Sequence, residues 1–444
     1  MIEGCDLAVI GVGLSGASVL VELTKGLAHA AGAAPRPLRI VAFDKAGEFA
    51  RGVPYGARSD RRALLIETLE QTRCPEFASW LQDRPQELQR LCDSQYPDDR
   101  DWWARNKTAI AARRYEHLYL PRHLFGDFSA YVFAQAMDRA IGRDLMRLTL
   151  CTQEVRELRR LPSGNYRVVT PSGEVESRIV LLAVGSIPRQ DQFLPQLEPP
   201  LAHKYLKDDL FCGSFSLRNA FDRFVRQEPE GPIRLAIIGG AASAIESLYC
   251  AMDHPTLSER IVDAVTLSLS GMLPGGIRSP DAVRCPVPAY VSHRTSADAY
   301  VRTALDLMQR NQLRILAARV KSVRRHENAL RLDILQQPNL IPATLDADLI
   351  INCSGAGDVR TTRSPLLRQL ASQLTVVEGG SGFILADDCS LQEWPGVYVA
   401  GPLLNGSALS SHVESISAVL KVAASLATHI MRSLGRTDIN TGTG

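Results

Sequence analysis

The chain has 444 residues, 45% of them hydrophobic, with 50 basic against 48 acidic side chains and a formal net charge of +2. That length predicts two or three domains with sizeable cores, and a near-neutral balance without a dense basic block argues against a nucleic-acid partner. Nine cysteines without a Cys-x-x-Cys pair exclude a disulfide framework, a dithiol redox centre and a zinc ribbon, so no metal is expected. The first strand-like run starts by Leu7, which leaves no room for a charged leader segment, and no apolar stretch reaches the ~18 to 20 residues that span a bilayer. The expectation is a soluble, cytoplasmic protein without a membrane partner.

The strongest signal lies at the start. Asp6-Leu7-Ala8-Val9-Ile10 reads as a buried strand that runs into Gly11-Val12-Gly13-Leu14-Ser15-Gly16 and then into an Ala/Leu/Val-rich helix. This is Gly-x-Gly-x-x-Gly in the strand-turn-helix context that the motif requires. Gly11 permits the tight turn, Gly13 admits a pyrophosphate close to the backbone, and Gly16 lets helix and strand pack tightly, so the phosphates meet helix N–H groups near Ser15. Pro37 to Phe43 reads as the second strand and ends in Asp44, followed by Lys45, where a carboxylate can accept both hydroxyls of an adenosine ribose. The spacing from Gly16 to Asp44 exceeds the usual ~20 residues, and the excess falls in a loop extension between Gly26 and Pro37.

A second fingerprint follows a second buried strand, Ile233 to Ile238, and reads Gly239-Gly240-Ala241-Ala242-Ser243-Ala244. Gly239, Gly240 and Ser243 are the candidate nucleotide contacts, with Ala241 where the pyrophosphate-approach glycine is expected. The next strand, Val262 to Leu269, ends among Ser268, Ser270 and Gly271, without the adjacent Arg or Lys expected at a 2′-phosphate. A site for NADPH or NADH and a relic fold that has lost its nucleotide both remain open.

Two more apolar runs, Ser177 to Gly185 and Asp348 to Gly355, have the same strand-then-glycine form and are expected to close the first domain around an insert. Gly396 to Gly401 is a further short strand, followed by Asn405, Gly406 and Ser407 and by a helix from about 410 to 434. The fold class is therefore α/β, with two dinucleotide-binding (Rossmann-like) domains, the second inserted in the first. Residues 1–190 and 345–444 form the first domain, 230–344 the second, and about 57–118 a helical cap. The cap holds Trp102, Trp103 and Arg105, which suit a planar or anionic small molecule; a surface cap that buries its own tryptophans is the equal alternative.

With these landmarks the chain resembles the bacterial FAD-NAD(P)-binding flavoproteins, relatives of the flavin-dependent N-hydroxylating and Baeyer–Villiger (class B) monooxygenases. The resemblance covers the first fingerprint, Arg51-Gly52-Val53-Pro54-Tyr55-Gly56, Tyr119 to Phe128, Ala183-Val184-Gly185, the second fingerprint and Val399-Ala400-Gly401-Pro402. It implies FAD in the first site, with Tyr55, Gly185, Gly401, Asn405 and Ser407 among its contacts, and Arg122 near the flavin or its phosphates. It also implies that the last helix aims its N-terminus at the flavin, where free N–H groups suit the charge of the reduced ring. There are departures. Gly401-Pro402 replaces the Gly-Asp of many relatives, and Leu217, after Phe211 and Gly213, stands where the Baeyer–Villiger signature has His, which disfavours ketone oxygenation.

No His-Glu-x-x-His, Gly-x-Ser-x-Gly or metal-ligand cluster appears in the sequence, so a flavin would carry the chemistry while protein groups position the substrate. The leading expectation is an NAD(P)H-dependent monooxygenase that uses O2 to oxygenate a nitrogen or other nucleophilic atom of a small molecule through a flavin C4a-hydroperoxide. An oxidase or dehydrogenase reduced by its own substrate, and a non-catalytic flavin-binding partner protein, stay open. The catalytic residues are unassigned; Arg122, His123, Asn405 and His412 are candidates, the histidines as proton shuttles near neutral pH. A homodimer is compatible with the sequence, though no residue demands one.

Overall fold

The computed structural model describes residues 4–30, 36–59, 61, 63–187, 193, 199–207, 217–278, 297–354, 357–404 and 415–436. Strand β1 (Cys5–Ile10) is buried at every position, as a strand covered on both faces of a parallel sheet must be. Gly11 to Gly13 turn the chain into α1 (Leu14–His29), which lays Leu20, Leu23 and Leu27 on the sheet. β2 (Leu38–Phe43) returns parallel to β1. The chain then makes one helical turn, α2 (Gly52–Tyr55), and the cap helices α3 (Pro75–Asp83), α4 (Pro85–Cys92) and α5 (Pro97–Ala111), each opened by a proline in the first turn where its missing N–H costs nothing. The long α6 (Arg122–Gly142) leads back to β3 (Met146–Cys151) beside β2. β4 (Glu157–Arg160), β5 (Tyr166–Thr170) and β6 (Gly173–Leu182) form an antiparallel meander, and the last half of β6 runs parallel to β1.

The second sheet begins earlier than the sequence suggests, with β7 (Tyr205–Lys207). After α7 (Leu217–Gln227) come β8 (Ile233–Ile238), α8 (Ala242–Met252), α9 (Pro255–Arg260) and β9 (Ile261–Ser268). A small hairpin follows, β10 (Met272–Leu273) with β11 (Ile277–Arg278). α10 (Asp298–Gln309), β12 (Leu313–His326), β13 (Ala329–Gln336), β14 (Ile341–Ala347) and β15 (Leu349–Asn352) complete this unit in the order β14-β13-β12-β9-β8-β15-β7. The chain then passes α11 (Pro365–Ala371), rejoins the first sheet as β16 (Val397–Val399), parallel to the end of β6, and finishes in α12 (Ile416–Ser433).

The architecture is the expected one, two dinucleotide-binding units with the second threaded through the first. The Asp348 to Gly355 run corrects the expected assignment, because its strand β15 lies in the second sheet between β8 and β7. Asp348 fixes that register by accepting from the Arg234 backbone N–H and from both arms of its guanidinium at 2.9 Å. A short Leu-Ile-Ile-Asn run is compatible with burial in either sheet, so pairing decides its place. The cap packs both on α6, where Phe77 and Trp80 meet Phe125 and Phe128, and on the second unit. Phe77, Trp80 and Trp102 share one hydrophobic core with Ile245, Leu248 and Tyr300 of the second unit, whereas the first sheet has its own core.

Candidate functional site

The first fingerprint takes the geometry that its glycines allow. Gly11 has φ +92°, and a Cβ there would lie 2.3 Å from the Ala183 carbonyl oxygen at the end of β6. A Cβ on Gly16 would lie 2.2 Å from the Gly11 oxygen, which is the close helix-to-strand contact predicted for the third glycine. Gly13 precedes α1 without a side-chain cap, and the first turn of α1 carries no acidic residue, so its N–H groups face no competing protein anion there. Asp44 follows β2, accepting from the Ala46 and Gly47 N–H groups at 2.9 and 3.0 Å and from Val12 N–H at 3.3 Å. Lys45 beside it is exposed.

The C-terminal segment comes to the same place. Gly401, with φ +74°, approaches α1 so closely that a Cβ would sit 2.8 Å from Ser15 Oγ, and Gly401, Ala400 and Ser15 line one small cavity with α12 residues Val419 and Ala423. Gly126 permits a similar approach of α6 to the carbonyl of Tyr55, whose phenol is pushed up to about 12 by burial. Gly185, with φ +78°, lies just past β6. A turn lined by glycines beside an uncapped helix and a carboxylate at the end of the second strand fits the pyrophosphate and ribose of FAD. Asn405, Ser407 and His412 lie outside the described residues. At the start of α12, Ile416 N–H donates to the buried Glu67 carboxylate at 2.9 Å and Ala418 N–H to Ser415 Oγ at 3.2 Å, so protein acceptors take the groups expected to face the flavin.

The second fingerprint repeats the first. Gly239 has φ +133°, and a Cβ there would sit 2.3 Å from the Cys353 carbonyl at the end of β15, as Gly11 does against Ala183. Ala241 precedes α8 without a side-chain cap, again with no acid in the first turn. Gly240 admits the Ser268 side chain, which a Cβ would strike at 2.2 Å. Ser243 is half-buried in the first turn of α8, its carbonyl accepting from the Cys353 thiol.

The remaining candidates meet protein partners. Arg122, expected at the flavin, is buried between the two units: its guanidinium donates to Glu246 of α8 at 2.7 Å and to the Leu64 carbonyl at 2.9 Å. Glu246 was not legible as a partner, although a lone acid in the apolar run Ala-Ile-Glu-Ser-Leu is a signal that a buried cation must answer. Burial of the His123 ring, with Arg61 nearby, holds it down to about 4, while Asp99 Oδ1 lies 3.6 Å from its Nε2, so the ring is a weaker base than a shuttle poised near neutrality needs. Trp102 is buried with its indole N–H on the Tyr119 carbonyl at 3.0 Å, which favours the packed-cap alternative. Trp102 and Arg105 do line a small cavity against Tyr249 and Asp253, and Trp103 is not part of it. Among the described residues no group of His, Cys, Asp and Glu could hold a metal ion, and no helix is long and apolar enough to cross a membrane.

Two mixed sheets, each with a parallel strand that leads into a positive-φ glycine and an uncapped helix, define a two-domain dinucleotide-binding fold. Residues 8–187 match the FAD-NAD(P)-binding family. An uncharacterized protein of Mycobacterium tuberculosis is 29% identical over 283 residues, 61% of this chain and 52% of the relative, so the chain spans about half the length of the curated relatives it matches. Among solved structures, the ornithine N-hydroxylase of Kutzneria sp. 744, with reduced FAD, NADP+ and L-ornithine, is 16% identical with a TM-score of 0.57, covering 97% of this chain and 99% of that one. The bacillithiol disulfide reductase of Staphylococcus aureus is 12% identical with a TM-score of 0.58 over 97% and 99%. The fold is thus that of the FAD- and NAD(P)-binding oxidoreductases.

Proposed function

We propose that the protein is an NAD(P)H-dependent flavin monooxygenase that oxygenates a nitrogen or another nucleophilic atom of a small molecule. The observation that carries this reading is the shared geometry of the two fingerprint turns. A second unit that had lost its nucleotide would be free to cap α8 or relax Gly239, and neither has happened. Gly11, Gly13, Ser15, Asp44 and Gly401 would hold FAD, which when bound supplies electron transfer and oxygen activation. Gly239, Gly240 and Ser243 would hold the nicotinamide nucleotide. The protein's own part is to bind, orient and exclude water, a task that needs no protein nucleophile.

The sequence lacks a Cys-x-x-Cys pair, which disfavours a dithiol relay of the disulfide-reductase kind on the same fold. The resemblance to N-hydroxylating enzymes supports nitrogen as the acceptor, by analogy of fold. The test is anaerobic mixing of the flavin-loaded protein with NADH and NADPH while the oxidised flavin band is followed, then oxygen uptake with primary amines. Fast bleaching, with oxygen consumption matched by hydroxylated product, is expected. Bleaching by a substrate alone would favour an oxidase, the reading to which the methyl of Ala241 points.

A further inference from the structure

The two units share a register that identifies counterparts residue by residue. Gly11 N–H donates to the Phe43 carbonyl at 2.7 Å and Gly239 N–H to the Leu267 carbonyl at 2.8 Å, with Ile10 opposite Phe43 and Ile238 opposite Leu267. The residue that follows is Asp44 in the first unit and Ser268 in the second. The ribose position thus carries a carboxylate in one unit and a hydroxyl in the other. A carboxylate accepts a 2′-hydroxyl and repels a 2′-phosphate; a hydroxyl donates to either.

The surroundings of Ser268 supply what the linear sequence lacks. Its Oγ lies 2.8 Å from Ser270 Oγ and accepts from Ser270 N–H at 3.3 Å, and Ser270 Oγ reaches the Met272 carbonyl at 3.5 Å. The hairpin β10–β11, turned by Pro274-Gly275-Gly276, sets Arg278 opposite Met272. Arg278 is half-buried, and among the described residues it forms no ion pair; its Nε donates to the weak acceptor Met272 Sδ at 3.1 Å. Leu269, between the two serines, is 65% exposed, a flat apolar contact at the same loop. Ser268 is itself buried against Gly240 and holds Ser270 in place, and we propose that Ser270 and Arg278 form a 2′-phosphate cradle that makes the second unit selective for the 2′-phosphorylated nicotinamide nucleotide.

This inference rests on the nucleotide-site reading of the second unit, and the experiment separates the two. Adenosine 2′,5′-bisphosphate and 5′-AMP are titrated calorimetrically into the FAD-loaded protein, without turnover. A charge-assisted contact to the phosphate predicts a preference on the order of 10- to 100-fold for the bisphosphate. Arg278→Gln should erase that preference while leaving 5′-AMP binding unchanged, and Ser270→Asp should invert it. Equal binding of both probes by the parent protein, or a preference that survives Arg278→Gln, would overturn the cradle and leave the nucleotide site standing. Binding of neither probe would overturn both. FAD content measured on each variant reports whether it is folded.

Discussion

The Arg122–Glu246 pair is a buried ion pair that joins α6 of the first unit to α8 of the second, with side chains 5% and 1% exposed. Removing one partner from such a pair leaves an uncompensated charge in the interior and costs about 3 to 5 kcal/mol. Glu246→Gln keeps the shape and removes the charge, so its cost should fall near the lower end, about 3 kcal/mol. Replacing both partners, as in Arg122→Met with Glu246→Leu, removes the orphaned charge and should restore most of the loss, because well-packed apolar side chains often match a buried pair. The assay is urea denaturation of the FAD-loaded protein, with hydrogen exchange to localise the effect; in Glu246→Gln the amides of α6 and α8 should lose protection together. A Glu246→Gln variant within about 1 kcal/mol of the parent, the scale of an exposed pair, would refute the reasoning.

Further outcomes follow from the site. Gly13→Val should yield protein without FAD, since a Cβ there already stands 3.3 Å from Gly52 Cα; stoichiometric flavin absorbance would place the pyrophosphate elsewhere. Ala241→Gly should tighten binding of the nicotinamide nucleotide by removing a methyl at the pyrophosphate approach, and weaker binding in a titration would contradict that role. His123, depressed to about 4 in the fold against about 6.5 unfolded, contributes stability that is fully present above pH 6.5 and lost as pH falls toward 4. His123→Gln should therefore flatten the stability curve across that window. An NMR titration that finds the ring with a pKa near 6.5 would remove the effect.

Much of the fold was legible because its signals are local. Each fingerprint places a buried strand, a glycine turn and a helix within a short span, and the structure returns all of these where the residues predict them. What was not legible depends on pairing between distant segments. Leu349 to Asn352 is apolar enough for either sheet, and only its partners β7 and β8 decide. Arg122 reads as a ligand-binding cation until Glu246, 124 residues away, is brought to it. Arg278 lies too far along the chain from Ser268 to count as its neighbour, yet Pro274-Gly275-Gly276 between apolar pairs is a turn signal that could have folded it back.

The cap also constrains how the chain can be made. Phe77, Trp80 and Trp102 leave the ribosome well before Ile245 and Leu248, with which they share a core. Phe77 and Trp80 meet the rings of Phe125 and Phe128 in α6 first, and at synthesis rates of about 5 to 20 residues per second the second-unit side of their core follows on the order of ten seconds later. During that interval the face of this core that the second unit covers stays open to water. The same dependence means that neither half can be cut away as a free-standing module without stranding that face in water.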